Sequence, residues 1–125
     1  MTPIDSRIDA HHPAYDEQRR GMLSLVERLH ELERRTRDTS ARAKPLFEKR
    51  GQLLPRERIA RLLDPATPFL ELGSMAGYCA EGEDPETSIP GGGQITGIGL
   101  VSGVRCVVAA SDSAINAGAY VDAGS

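Results

Sequence analysis

Two β-type runs decide the fold: Gln94–Val101 (QITGIGLV) and Val104–Ala110 (VRCVVAA), joined only by Ser102-Gly103. A two-residue connection between such runs is typical of a β-hairpin, and glycine readily takes the positive φ that the turn needs. Gly97 and Gly99 lie on one side of the first run and leave bare backbone there. We therefore expect another segment to pack closely against that side.

The second run, VRCVVAA, is almost continuously apolar, which is typical of a strand covered on both faces. Nothing in residues 112–125 has the length or the period of a covering helix. We therefore expect the chain to be the front piece of a larger domain. The alternative, a complete small α+β protein covered by its own helices, stays open on pattern alone.

Upstream of the hairpin, the sequence predicts three helices that follow a flexible arm over residues 1–14. The first runs from about Tyr15 to Thr39, a second covers Ala41–Arg50, and a third starts near Pro55. The third stops at Asp64-Pro65, because the residue before a proline avoids the α region. One apolar stripe at helical spacing marks the first helix: Met22, Leu25, Val26, Leu29 and Leu32.

Charge and glycine are unevenly distributed along the 125 residues. Residues 1–71 hold 14 of the 15 basic and 12 of the 18 acidic side chains, whereas 11 of the 13 glycines follow residue 72. The N-terminal part of the chain is therefore charged and helical, and the C-terminal part is Gly-rich and β-type. The C-terminal part begins with a short alternation of apolar and polar residues, Phe69–Leu72.

Composition also excludes several classes of protein. The net charge of −3 argues against a nucleic-acid binder. No apolar stretch approaches the ~18 residues of a membrane-spanning helix, and the N-terminus lacks the pattern of a secretory signal. Two cysteines are too few for a disulfide framework or a tetrahedral metal site of their own. We expect a cytoplasmic protein without a membrane partner.

Most polar motifs have a structural explanation. Pro90–Gly93 is a turn signal, since no Lys-Ser/Thr follows it as in a phosphate-binding P-loop. Ser111-Asp112-Ser113 cannot form a local Ser–His pair, because no histidine follows His30. The best site candidate is Asn116–Ala119, directly after the apolar strand. Ligands of open sheets bind beyond the carboxyl ends of strands, where small residues expose backbone N–H groups.

A series of motifs follows one order over roughly residues 20–120: Lys49–Ile59 (KRGQLLPRERI), Leu62–Pro65, Phe69–Leu72, Ala76–Tyr78, Pro90–Gly93, Ile95–Gly99, Val101–Val104 and Ser111-Asp112. In this order they resemble the opening of the carboxyltransferase β subunit of biotin-dependent acyl-CoA carboxylases. Within that family, the resemblance is greatest to subunits that act on branched unsaturated acyl-CoAs, namely geranyl-CoA or 3-methylcrotonyl-CoA.

The resemblance implies an α+β or α/β protein in which N-terminal helices precede the first strands of a crotonase-like domain, incomplete in this chain. The start of the acyl-CoA carboxyltransferase N-terminal domain would then cover residues 67–125, after the flexible arm over residues 1–14 and the helical segment over 15–66 that the residue patterns predict. The reaction implied is transfer of CO2 to an acyl-CoA from biotin. A biotin carboxylase/biotin carrier α subunit would carry the biotin and carboxylate it with ATP and bicarbonate, and the β subunits would form a homo-oligomer.

By the same resemblance, the acyl-CoA side of the domain lies near Ser111, Asp112, Ala117, Gly118 and Ala119. Small side chains there would let the ligand approach the backbone. Negative charge that collects on the thioester oxygen is stabilised by backbone N–H pairs, and the Gly-rich segments that supply them in the family lie beyond residue 125. No catalytic or metal-ligating residue is therefore predicted, and the isolated chain is expected to be inactive.

A competing hypothesis makes the chain a non-catalytic interaction module. In that case the first helix would dock onto a partner subunit through Met22, Leu25 and Leu29.

Overall fold

The computed structural model describes residues 5–91 and 93–116. Helices precede strands along the chain, as predicted: α1 (Pro13–Arg42), α2 (Lys44–Lys49), α3 (Pro55–Leu62), β1 (Leu70–Leu72), a 3-10 turn (Ala80–Gly82), β2 (Gln94–Val101), β3 (Val104–Ser111) and α4 (Ser113–Asn116). The chain divides into two compact units, of which the first ends at Glu31 and the second begins at Leu32. The predicted boundaries after residues 14 and 66 stay predictions.

The three strands form one antiparallel sheet in the order β1-β2-β3. Ser102 and Gly103 connect β2 to β3 with φ angles of 51° and 75°, so both central residues of the turn are left-handed, as a tight two-residue hairpin requires. The carboxylate of Asp64 accepts hydrogen bonds from both of their backbone N–H groups, each at 2.7 Å. The predicted hairpin is confirmed, and Asp64 ties its turn to the end of α3.

Phe69 and Leu63 cover the bare backbone of β2. A Cβ built on Gly97 would overlap the ring of Phe69 and come within 2.7 Å of the carbonyl oxygen of Leu70, and a Cβ on Gly99 would lie 2.5 Å from a methyl group of Leu63. The predicted close neighbour of these glycines is therefore the segment that leads from α3 into β1.

A small apolar core lies on this same face of the sheet. Its buried members are Ile59 of α3, Ile95 of β2 and Val108 of β3, and partly buried apolar residues pack around them. Cys106 of β3 is one of those.

In the described part of the chain, only one face of β3 is covered. On the uncovered face Val107 is 71% exposed, and Arg105 and Ala109 are exposed as well, whereas Val108 on the other face is buried. The expectation that VRCVVAA is covered on both faces is therefore not met there. The reason is that β2 and β3 form a hairpin with α3 packed against a single side.

Helix α1 is longer at both ends than the predicted Tyr15–Thr39. In the first unit its apolar stripe is exposed: Met22 is 62%, Leu25 67% and Leu29 37% exposed. In the second unit α1 has a buried face formed by Leu32 and by two small polar residues, Thr36 and Ser40, at intervals of four residues. No helix in the described ranges is long and apolar enough to cross a bilayer.

Helix α3 begins at the predicted residue, whereas α2 begins at Lys44 rather than Ala41, because Ala41 and Arg42 belong to the end of α1. Pro45 lies in the first turn of α2, where its missing N–H costs nothing, and Gly51 follows with a φ of 67°. Helix α3 begins at Pro55, and the carboxylate of Glu57 accepts a hydrogen bond from the backbone N–H of Leu54.

Gly97→Ala should destabilise the protein by about 2 kcal/mol, because the new methyl group meets backbone as well as the Phe69 ring. Gly99→Ala should cost less, since the Leu63 side chain that it meets can rotate. Urea unfolding measures both. The matched control is Gly21→Ala in α1, where nothing lies within 4 Å and alanine should stabilise by roughly 0.5–1 kcal/mol. Equal effects at positions 97 and 21 would contradict the close approach.

Candidate functional site

Two of the predicted site residues, Ser111 and Asp112, lie at the corner between β3 and α4. Ser111 is the last residue of β3, and Asp112 follows it immediately before α4. Ala117, Gly118 and Ala119 lie outside the described residues, as does Gly92 of the predicted Pro90–Gly93 turn.

Asp112 is buried, with 1% of its surface exposed. Its Oδ1 accepts hydrogen bonds from the Ser40 hydroxyl at 3.0 Å and from the Ala114 backbone N–H at 3.3 Å. Its own backbone N–H donates to the carbonyl oxygen of Gly93 at 2.6 Å. Asp112 therefore fastens the β3–α4 corner to α1 and to the start of β2, and it has almost no surface with which to touch a ligand.

Arg56 and Glu71 form a bidentate salt bridge beside Asp112. The two terminal nitrogens of Arg56 donate to the two carboxylate oxygens of Glu71 at 2.8 and 2.9 Å, which joins α3 to β1. The hydrogen bond from Arg56 lowers the pKa of Glu71, and the same bond raises the pKa of Arg56. Arg56 Nε lies 4.0 Å from Asp112 Oδ2.

This cluster was missed by sequence reasoning. In Leu70-Glu71-Leu72 the expected arrangement places leucines inside and glutamate outside, but the structure inverts it: Leu70 is 61% exposed, and the side chain of Glu71 only 21%. Local sequence does not predict this pairing, because the arginine lies in the first turn of a helix and the glutamate in a separate short strand.

Ser111 contributes to a groove of about 1040 Å³ alongside α3. The hydroxyl of Ser111 accepts a hydrogen bond from the Gln94 side chain at 3.3 Å. The groove is walled by residues 108–111 of β3 and, on α3, by side chains that include Arg58 and Arg61. Guanidinium groups and hydroxyls together can bind an anionic or polar group.

The remaining motifs have structural roles. Pro90 is buried, and its carbonyl oxygen accepts a hydrogen bond from the Thr36 hydroxyl at 2.9 Å. Gly91 and Gly93 have φ angles of 97° and 68°, which confirms the interpretation of this segment as a turn. Arg35 of α1 donates hydrogen bonds to the carbonyl oxygens of Pro85 and Ser88, which lie in the acid-rich loop 80–88 before β2. No group of three metal-binding side chains occurs among the residues the structure describes.

Comparison with known proteins gives one matching family model and several similar chains. The model of the carboxyl transferase domain matches residues 47–124. The β1 subunit of the biotin-dependent 3-methylcrotonyl-coenzyme A carboxylase of Mycobacterium tuberculosis is 49% identical over 79 residues, which are 63% of this chain and 14% of that protein. The probable methylcrotonoyl-CoA carboxylase beta chain of Drosophila melanogaster is 38% identical over 118 residues, or 94% of this chain and 20% of that protein.

Two solved structures share the fold. The β subunit of geranyl-CoA carboxylase from P. aeruginosa superposes with a TM-score of 0.78 at 50% identity, covering 94% of this chain and 21% of that one. The transcarboxylase 12S structure superposes with a TM-score of 0.60 at 28% identity, and the match covers 78% of this chain and 19% of that one. The predicted fold class, helices followed by the first strands of a carboxyltransferase domain of crotonase-like fold, is confirmed. The chain spans about a fifth or less of the length of these relatives.

Glu71→Gln should destabilise the protein at pH 7 by about 2 kcal/mol, because it removes the charge from a half-buried, doubly hydrogen-bonded partner of Arg56. The folded-state pKa of Glu71 lies below its ordinary value of 4.5. The ionised Glu71 therefore contributes fully to the free energy of unfolding above about pH 4.5, and this contribution is lost as the pH falls through the folded-state pKa.

Urea unfolding of wild type and variant at pH 7 and at pH 3 measures this difference, which should shrink at the lower pH. Glu31→Gln is the control, since Glu31 pairs with Arg28 across an exposed helix surface and should change the unfolding free energy by less than about 0.5 kcal/mol. A difference that persists unchanged at pH 3 would contradict the electrostatic role of Glu71.

Proposed function

Because the chain belongs to the carboxyl transferase domain family, we propose that it forms the N-terminal part of the carboxyltransferase β subunit of an acyl-CoA carboxylase. The substrate would be a branched unsaturated acyl-CoA, geranyl-CoA or 3-methylcrotonyl-CoA. The observation that carries this proposal is the match of the family model over residues 47–124, joined with 50% identity to a geranyl-CoA carboxylase β subunit across 94% of the chain.

In the proposed reaction, a carbon of the acyl-CoA would lose a proton and gain CO2, and biotin held by the partner subunit would supply the CO2 and take up the proton. The negative charge developed on the way is shared with the thioester oxygen, which backbone N–H groups stabilise. The polar side chains of the described site, Ser40, Arg56, Glu71 and Asp112, are bonded to one another or to backbone. We therefore assign the contacts with biotin to residues elsewhere in the subunit.

This chain would contribute a firmly held corner at the edge of the acyl-CoA site. We propose that Ser111, Asp112, Ala117, Gly118 and Ala119 form that edge. The burial of Asp112 supports a positioning role for it, because its carboxylate is bonded to α1 and to the first turn of α4. The partial exposure of Ser111 on the groove supports a role facing the ligand.

The proposed subunit needs partners. A biotin carboxylase/biotin carrier α subunit would carboxylate biotin with ATP and bicarbonate, and β subunits would assemble with one another, in the cytoplasm. Met22 and Leu25 of α1 are more than 60% exposed, which supports docking of this helix on another subunit. That role, the competing interaction module, is compatible with membership in a carboxylase.

The function is tested by carboxylation. The full-length subunit that carries this chain, mixed with its α subunit, ATP and ¹⁴C-bicarbonate, should transfer label to geranyl-CoA or 3-methylcrotonyl-CoA, and the 125-residue chain alone should not. Acetyl-CoA is the control substrate. A full-length assembly that hydrolyses ATP but labels no branched acyl-CoA would refute the proposal, and turnover by the isolated chain would refute the assignment of the oxyanion-stabilising groups to residues beyond 125.

Gly118→Val should raise the Michaelis constant for the acyl-CoA several-fold, with a smaller change in kcat, because a larger side chain keeps the ligand from the backbone. Steady-state kinetics of the full-length subunit measures this effect. Ala60→Val, on the exposed surface of α3, is the matched control. Unchanged kinetics of a properly folded Gly118→Val variant would count against the site.

A further inference from the structure

A small cavity lies where the second half of α1, the start of α3 and β1 approach the end of β3. Its volume is about 10 Å³. The residues around it include charged, polar and apolar side chains: Thr36, Arg56, Glu71, Gln94, Asp112 and Ile115.

Two buried polar atoms border this cavity without a hydrogen-bond partner among the described residues, Arg56 Nε and Asp112 Oδ2. They are 4.0 Å apart, too far for a hydrogen bond between them. Every other polar atom of these two side chains is engaged, with Glu71 on one side and with Ser40 and the Ala114 N–H on the other. Neither side chain can therefore turn to close the gap without breaking existing bonds.

Leaving both atoms unpaired would be costly, since an unsatisfied buried polar group costs about 1–3 kcal/mol and a charged one more. The occupant that removes this cost must accept a hydrogen bond from the Arg56 N–H and donate one to the Asp112 carboxylate. A metal cation cannot accept that bond and is repelled by the guanidinium group. An anion is repelled by Asp112, which is 1% exposed.

A single water molecule satisfies both requirements and the available room. A cavity of about 10–15 Å³ is the smallest that holds one water, which matches the volume found here. Two hydrogen bonds of about 2.8 Å would span the 4.0 Å gap with an angle of about 90° at the water oxygen.

We propose that one ordered internal water binds between Arg56 Nε and Asp112 Oδ2. It joins the Arg56–Glu71 bridge of α3 and β1 to the Ser40–Asp112 bond of α1 and the β3–α4 corner. The four segments then form one continuous hydrogen-bonded unit. This inference does not depend on the proposed function, because it concerns only contacts within the described residues.

A crystal structure of the full-length protein, at a resolution that shows internal waters, tests the proposal. We expect one electron-density peak within about 2.7–3.2 Å of both atoms. Either of two results would overturn it: a map that shows other internal waters but none at this position, or a direct hydrogen bond between Arg56 Nε and Asp112 Oδ2.

Two variants separate the bridging water from general packing. Asp112→Glu is longer by one methylene group, so its carboxylate should enter the cavity, bond Arg56 directly and displace the water. Ser40→Ala is the matched control, since it removes one of the two hydrogen bonds to Oδ1, leaves Oδ2 untouched and should keep the water. A water retained in folded Asp112→Glu, or lost in Ser40→Ala, contradicts the assignment. If Asp112→Glu does not fold, the electron-density maps of the wild type and of Ser40→Ala test the proposal by themselves, since both should show the water.

Discussion

The absence of side chains at Gly97 and Gly99 is the constraint on which the second unit depends. It allows Phe69 and Leu63 to lie directly against the backbone of β2, where a single methyl group would collide with them. The close approach fixes the segment between α3 and β1 on the sheet. Ile59 then reaches the core formed with Ile95 and Val108. Burial of apolar surface is worth about 25 cal/mol per Å², so a core this small depends on close packing for each contact.

The same packing brings distant charges together. Arg56 at the start of α3 meets Glu71 of β1 and approaches Asp112, which lies 56 positions further along the chain. A buried carboxylate is tolerated only when it is bonded or paired, because desolvation of its charge is otherwise too costly. Ser40 and the N–H of Ala114 bond Oδ1 of Asp112, and the Arg56 guanidinium group lies 4.0 Å from its Oδ2. The corner that follows β3 is consequently held from several sides, which is the property required of a segment that positions a ligand.

Local chemistry made much of this fold predictable. The hairpin follows from a two-residue connection with Gly103, the end of α3 from Asp64-Pro65, and the close approach from Gly97 and Gly99. Local patterns could not predict the hydrogen-bond and ion-pair partners that are distant in sequence. Ser40 and Asp112 are 72 residues apart, and neither has a signal that names the other. The inverted burial of Leu70-Glu71-Leu72 likewise depends on Arg56. The apolar/polar pattern of the strand does not predict this partner.

The candidate site stays a prediction, and local patterns gave only part of it. Position after the apolar strand predicted Asn116–Ala119, because strand ends recur as ligand-binding edges, whereas Ser111 and Asp112 were predicted from the resemblance to the family. Position did not reveal that the Asp112 carboxylate turns inward, since that requires a hydroxyl from α1 and a guanidinium group from α3. In the proposed chemistry this division is reasonable. Charge developing on a thioester oxygen is stabilised by fixed backbone dipoles rather than by a mobile side-chain base. Such dipoles act best when the segment that presents them is rigid, and here the inward-facing Asp112 carboxylate bonds the corner to α1 and to α4.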